Sequence, residues 1–195
     1  MGRTRTFDTA AVVRAARGVF WAHGYEQASL PALQEATGLN ASSIYHAFGS
    51  KRGLFDAAVQ SYLEEVARPR LRPLTAETVR PDAVVDYLAG LRDALARRGT
   101  LPGDHGCLLI NAGCAPVADD PDVARTVGEY CAELRAALAR GVAARLPTLD
   151  EAARDALTDA CTGLVVAAFD LVRVDPVQSA RSLDAAIALL EPSRS

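Results

Sequence analysis

Apolar residues recur along this chain at intervals of three and four, and alternating runs of strand type are nearly absent. Ala, Leu and Arg, which favour helix, are abundant, so the pattern predicts an all-α protein of about nine helices. Val12, Ala15, Ala16, Val19 and Phe20 make one apolar face, predicting a first helix from Thr9 to His23 that stops at Gly24. Ser29, followed by Pro31, reads as the N-cap of a short second helix that Gly38 closes. A third helix begins after Asn40, carries Ile44, Tyr45 and Phe48, and yields at Gly49. Ser50 then caps a longer fourth helix bearing Leu54, Phe55, Ala58, Val59, Tyr62, Leu63 and Val66, which the segment from Arg68 to Pro73 is expected to break.

Downstream, Pro81 opens a helix towards Arg98, residues 99–106 form a loop, and Cys107 to Ala115 form a short apolar helix. Long amphipathic helices follow from Pro121 to Leu146, Asp150 to Arg173 and Pro176 to Leu190. The predicted organisation is an N-terminal three-helix helix-turn-helix domain, residues 1–56, and a C-terminal helical ligand-binding and dimerisation domain, residues 57–195.

Half of the 195 residues are hydrophobic, enough for a real core. No uncharged apolar run reaches the length of about eighteen residues that a membrane span needs, and the opening residues are polar, so a cytoplasmic location without membrane attachment is expected. Cys107, Cys114, Cys131 and Cys161 lack the short paired spacings of a zinc site and are expected as reduced thiols. His23, His46 and His105 have no metal spacing with acids, and no glycine-rich phosphate loop or nucleophile turn is present. No enzyme, cofactor or metal is expected. The net charge of −3 divides unevenly: residues 1–56 carry six basic groups against four acids, the remainder fifteen against twenty. A mildly basic head on an acidic body suits a nucleic-acid-binding module joined to something that does not touch nucleic acid.

Two short helices joined at Gly38 can lay residues 40–47 in a major groove. Around this turn, Phe20, His23-Gly24-Tyr25, Ser29-Leu30, Ala36-Thr37-Gly38-Leu39 and the run from Ser43 to Phe55 resemble the DNA-binding domain of the TetR family of transcriptional regulators. Gln34 departs from the small residue usual in that family. The resemblance implies that Ser29, Tyr45 and Lys51 hold phosphates, roles that a hydroxyl at a helix start, a phenol and an ammonium can fill. It places Ala41, Ser42, Ser43 and His46 where the family reads base edges; for His46, a contact to phosphate alone is an equal reading. Arg3 and Arg5 form a basic arm that either enters a minor groove, screens phosphates or is a plain tail.

The resemblance further implies a homodimer on double-stranded DNA at a palindromic operator, acting as a repressor released by a small hydrophobic or electrophilic effector. Leu157, Cys161, Leu164, Val165, Ala168 and Leu171, with Leu183, Ile187 and Leu190, are the candidate dimer faces, and the alternative is that they form internal core. Gly106-Cys107-Leu108-Leu109-Ile110-Asn111 resembles a TetR subgroup with a Gly-Cys-Leu-x-x-Asn motif, in some members of which the cysteine senses electrophiles or oxidants. Ala115 stands where many relatives carry Glu. Cys107, Asn111, Tyr87 and Tyr130 are the ligand or sensor candidates, with a buried structural thiol as the other reading of Cys107. A DNA-binding architectural or partner-controlled protein without a small-molecule effector is the competing function.

Overall fold

The computed structural model describes residues 7–191, and among these the regular structure is helical throughout. Two compact units divide between Val66 and Ala67. The first unit holds α1 (Thr9–Gln27), α2 (Leu30–Thr37), α3 (Ala41–Phe48) and α4 (Lys51–Tyr62). Asp8 starts α1 by accepting from the backbone N–H groups of Ala10 and Ala11. Gly24 breaks the helix where the sequence suggested: its backbone leaves helical geometry at a φ of 74° and a ψ of 173°, which only glycine adopts without strain, and a further short turn to Gln27 carries Tyr25 back over the core.

That core is aromatic. Phe20 and Phe55 meet edge to face with centroids 5.2 Å apart, and Trp21 and Tyr62 do so at 4.8 Å. Arg17 ties the far end of α4 to α1, donating to the Ser61 carbonyl and hydroxyl and to Glu65 at 2.9 Å. These contacts carry the first unit ten residues beyond the boundary that sequence reading set at residue 56, because Tyr62 belongs to the aromatic core of the head.

A π-helical turn, Leu63–Ala67, follows α4 and leads into α5 (Arg68–Thr75). The sequence reading of residues 68–73 as a break is therefore corrected. A proline ring clashes with the carbonyl four residues back, which for Pro69 is that of Glu65; the widened π turn there relieves the clash. Pro73 removes one more backbone bond, and burial of Leu71 and Leu74 opposes that loss.

The second unit continues with α6 (Ala83–Leu95), α7 (Leu101–His105), α8 (Leu108–Gly113), a 3-10 turn at Pro116–Asp119, α9 (Pro121–Arg145), α10 (Glu151–Leu171) and α11 (Pro176–Leu189). The loop expected at residues 99–106 thus contains a one-turn helix, capped by Thr100 accepting from Gly103. Asp120, Asp150 and Asp175 cap α9, α10 and α11. α10 packs along α11, α9 crosses α5, α6 and α10, and α6 lies against α11. Gly141 on α9 admits Val84 and Leu74 where any side chain would collide with them. The Ser179 hydroxyl donates to the Ala168 carbonyl at 2.7 Å, fixing α11 on α10 from inside. Arg140 donates to the carbonyls of Thr75, Ala76 and Glu77, satisfying the open end of α5. No helix of the described residues is long and apolar enough to cross a membrane.

Phe20→Ala empties the centre of the first unit's core and is expected to cost about 3–5 kcal/mol. The single tryptophan, Trp21, lies in that core, so urea unfolding followed by its fluorescence reads the loss directly.

Candidate nucleic-acid interface

The turn between α2 and α3 is closed from both sides. Gly38 takes a left-handed φ of 68° and its N–H reaches the Gln34 carbonyl. The Thr37 hydroxyl donates back to Leu33 and accepts from the Leu39 N–H. Asn40 then caps α3 by accepting from Ser43 at 2.8 Å. Neither Thr37 nor Asn40 stood out as a turn clamp in the sequence, although both are residue types that serve this way.

On α3 only Ile44 is fully buried. Ser42 and His46, one turn apart, stand opposite it and are exposed; Ser43 and Tyr45 flank them, and Tyr45 is 46% exposed. Ala41 is half-buried at the edge of this face. Ser29 is exposed at the start of α2, its hydroxyl accepting from Ala32. All six residues that sequence reading selected on α2 and α3 are therefore presented by two adjacent short helices. Arg3 and Arg5 lie outside the described residues.

The end of α3 is positioned by an unusually close contact. A Cβ at Gly53, in the first turn of α4, would sit 2.0 Å from the Phe48 carbonyl oxygen, so no larger residue fits without moving the backbone. Ser50 caps the same turn by accepting from Gly53 at 3.0 Å. Lys51 is thereby held at the helix start, with its ammonium 4.7 Å from the centroid of the Tyr25 ring and 3.4 Å from the Glu26 carbonyl. Partial burial lowers its pKa, and the nearby Glu26 carboxylate acts in the opposite direction. Tyr25 is a positioning residue that sequence reading passed over.

The basic excess of the head is narrower than its count of charges suggests. Arg14 and Arg17 both pair with Glu65, and Arg52 pairs with Asp56 at 2.7 Å. Among the described residues of this unit, Lys51 is the cation without a carboxylate in ion-pair range.

Residues 12–58 match the family described as bacterial regulatory proteins, tetR family. The chain is 35% identical over 127 residues to the HTH-type transcriptional repressor ComR of Escherichia coli (strain K12), a match spanning 65% of this chain but only 59% of ComR. It is 33% identical over 146 residues to the HTH-type transcriptional regulator YezE of Bacillus subtilis (strain 168), covering 73% of this chain and 72% of YezE. This chain belongs to the TetR family. As such it is a DNA-binding transcriptional regulator with an N-terminal helix-turn-helix and a C-terminal helical unit. A solved structure of the TetR-family regulator CifR, a cysteine mutant complexed with double-strand operator DNA, superposes with a TM-score of 0.78 at 27% identity, covering 96% of this chain and 98% of that one.

Of the candidates in the C-terminal unit of the regulator, Cys107 neighbours both Tyr87 and Tyr130, whereas Asn111 is engaged elsewhere. Tyr87 lines a cleft beside α5 and α6. Cys107 is fully buried, its thiol 3.7 Å from the Tyr130 hydroxyl, and so lacks the access that reaction with a dissolved electrophile requires. The Asn111 amide donates to the His105 carbonyl at 2.7 Å and clamps the preceding loop. The dimer-face reading also needs correction. Cys161, Val165, Ala168, Leu183 and Leu190 are fully buried within the chain's own core, because α10 and α11 close against each other, α10 also against α9 and α11 also against α6. Leu157, Leu164, Leu171 and Ile187 retain surface.

Gly53→Ala is expected to destabilise the head by about 1–3 kcal/mol and to displace α3 from α4. DNA affinity should fall at temperatures where circular dichroism still reports full helicity; unchanged affinity would mean that the contact does not set the aim of α3. Alkylation with iodoacetamide at near-neutral pH, followed by mass spectrometry, is expected to label exposed Cys114 first. Cys107 and Cys161 should react only on unfolding, since both are enclosed and burial pushes the Cys161 thiol up to about 11.

Proposed function

We propose that this regulator is a cytoplasmic repressor that binds a palindromic operator as a homodimer and leaves it when a small, largely apolar effector occupies the C-terminal unit. The observation that carries the DNA-binding part is the exposed face of α3 opposite Ile44, flanked by Ser29 and Lys51. Ser42, Ser43 and His46 supply hydrogen-bonding groups for base edges, and Ala41 offers only a methyl contact. Ser29, Tyr45 and Lys51 fix register on phosphates. The operator-bound CifR structure and the repressors named among the relatives support the same reading.

With a single unpaired cation on each described head, one module makes few charged phosphate contacts, and useful affinity calls for two. The surface for pairing is the face of α10 and α11 that the chain leaves open. Leu157, Leu164 and Leu171 recur there at seven-residue spacing beside exposed Ala160 and Gly163, with Ile187 on α11. Small residues let a second copy approach closely.

The Gly-Cys-Leu-x-x-Asn segment has a local physical logic that supports assignment to the subgroup bearing it. Gly106 packs against the Phe169 carbonyl, where a Cβ would lie 2.2 Å away, and Asn111 holds the loop before it. Burial of Cys107 favours an effector that binds without covalent reaction over an electrophile.

Selection from a random DNA pool at near-physiological salt, with stoichiometry measured on the winning sequence, tests the reading. A palindrome occupied by two or four chains is the expected result, and recovery of no preferred sequence would overturn it in favour of an architectural protein. Lys51→Ala should weaken all sequences alike and shallow the salt dependence. Ser43→Ala should instead alter discrimination at one base position by about 1–3 kcal/mol. Leu164→Glu should give a monomer by light scattering and lose operator binding with it.

A further inference from the structure

A cleft of about 280 Å³ opens in the C-terminal unit, walled by α5 and α6. Its body is apolar, made by Pro73, Ala83, Leu91 and the bare helix surface at Gly90. Glycine within a helix costs about 1 kcal/mol relative to alanine. No packing demands it here: a Cβ at Gly90 would meet no atom within 4 Å, so the space it leaves belongs to the cleft.

Three charged side chains line this cleft, and they are not equivalent. Arg80 is matched by Asp86 at 2.7 Å, and both are largely exposed. Arg70 is half-buried and has no hydrogen-bond or ion-pair partner among the described residues. Its charge is felt by the Tyr87 phenol. Burial pushes that phenol above its ordinary value, the neighbouring Cys107 adds to the rise, and Arg70 opposes it. Tyr87 is thus an un-ionised O–H donor at neutral pH, in the same cleft as an uncompensated guanidinium.

We infer that this cleft binds a small apolar monocarboxylate, its carboxylate held by Arg70 and the Tyr87 hydroxyl and its hydrocarbon body laid over Pro73, Leu91 and the gap at Gly90. The charge balance sets the class: one unpaired guanidinium matches one negative charge, and a dianion such as phosphate would leave a charge unmatched against an apolar wall. The volume, just under the range of drug-sized ligands, suits a single ring or short chain. Binding there bears on regulation because Arg70 and Pro73 sit on α5, the first helix of the C-terminal unit and the one that follows the head along the chain. The inference rests on the reading of the C-terminal unit as the effector-binding part and names the chemistry it accepts.

Calorimetric titration of the full chain with benzoate, phenylacetate and hexanoate, each beside its primary amide, tests it. At least one acid is expected to bind, with its amide weaker by about tenfold or more. Arg70→Gln should weaken that acid to the level of its amide, whereas Gly90→Leu should fill the cleft and abolish binding of both. Operator binding without acid, measured in parallel, reports that each variant is folded. If no acid binds, if amides bind as well as acids, or if Arg70→Gln leaves the acid unaffected, the inference fails. Operator selection needs no acid, so a regulator that selects its operator and ignores every acid overturns this inference alone; loss of operator selection overturns the repressor reading.

Discussion

The aim of α3 depends on a contact between two stretches of backbone. The helix buries a single side chain, Ile44, which can hold it down but cannot fix its rotation or tilt. Orientation comes from the ends: the Asn40 cap at one, and at the other the approach of the Phe48 carbonyl to Gly53, closer than any side chain would allow. Because Gly53 lies in the first turn of α4, the same contact sets where Lys51 stands. The exposed face of α3 and the Lys51 ammonium, proposed to read bases and hold phosphate, are therefore registered to each other through backbone, which is stiffer than any pair of long side chains.

The aromatic core gives this arrangement a foundation. Phe20, Tyr25 and Phe55 cluster at the start of α4, and Trp21 meets Tyr62 edge to face at its far end, so the helix carrying Lys51 is held along its length. Tyr25 serves twice, as a core ring and as the surface over which the Lys51 ammonium rests. A lysine so placed has already lost part of its rotamer freedom, and ordering it on the phosphate we propose for it would cost correspondingly less.

The C-terminal unit follows a different logic. Its helices close on one another through small residues, Gly141 and Gly106 among them, and the apolar faces of α10 and α11 are consumed largely by that closure. What it leaves open is an apolar strip on α10 and α11 and a cleft with one unbalanced charge. An unmatched guanidinium in an apolar setting holds binding energy that a ligand of opposite charge can use, and the ligand we infer would rest on α5.

The sequence by itself determined most of the helices, the Ser29 and Ser50 caps and the face of α3. These depend on near neighbours: the spacing of apolar residues, a hydroxyl or carboxylate three residues before an amide, a glycine after a last turn. It erred where a local rule met a tertiary circumstance. Pro69 and Pro73 read as a break, and the π turn together with the burial of Leu71 and Leu74 made them a helix. Cys161, Val165, Ala168, Leu183 and Leu190 read as a dimer face, and packing between helices turned them inward. Counting charges made Arg14 and Arg17 part of a basic head, whereas a glutamate some fifty residues later neutralises both. An amphipathic face shows in sequence as a need to be covered, but what covers it, which charge remains unpaired and where space is left over are settled only when distant segments meet.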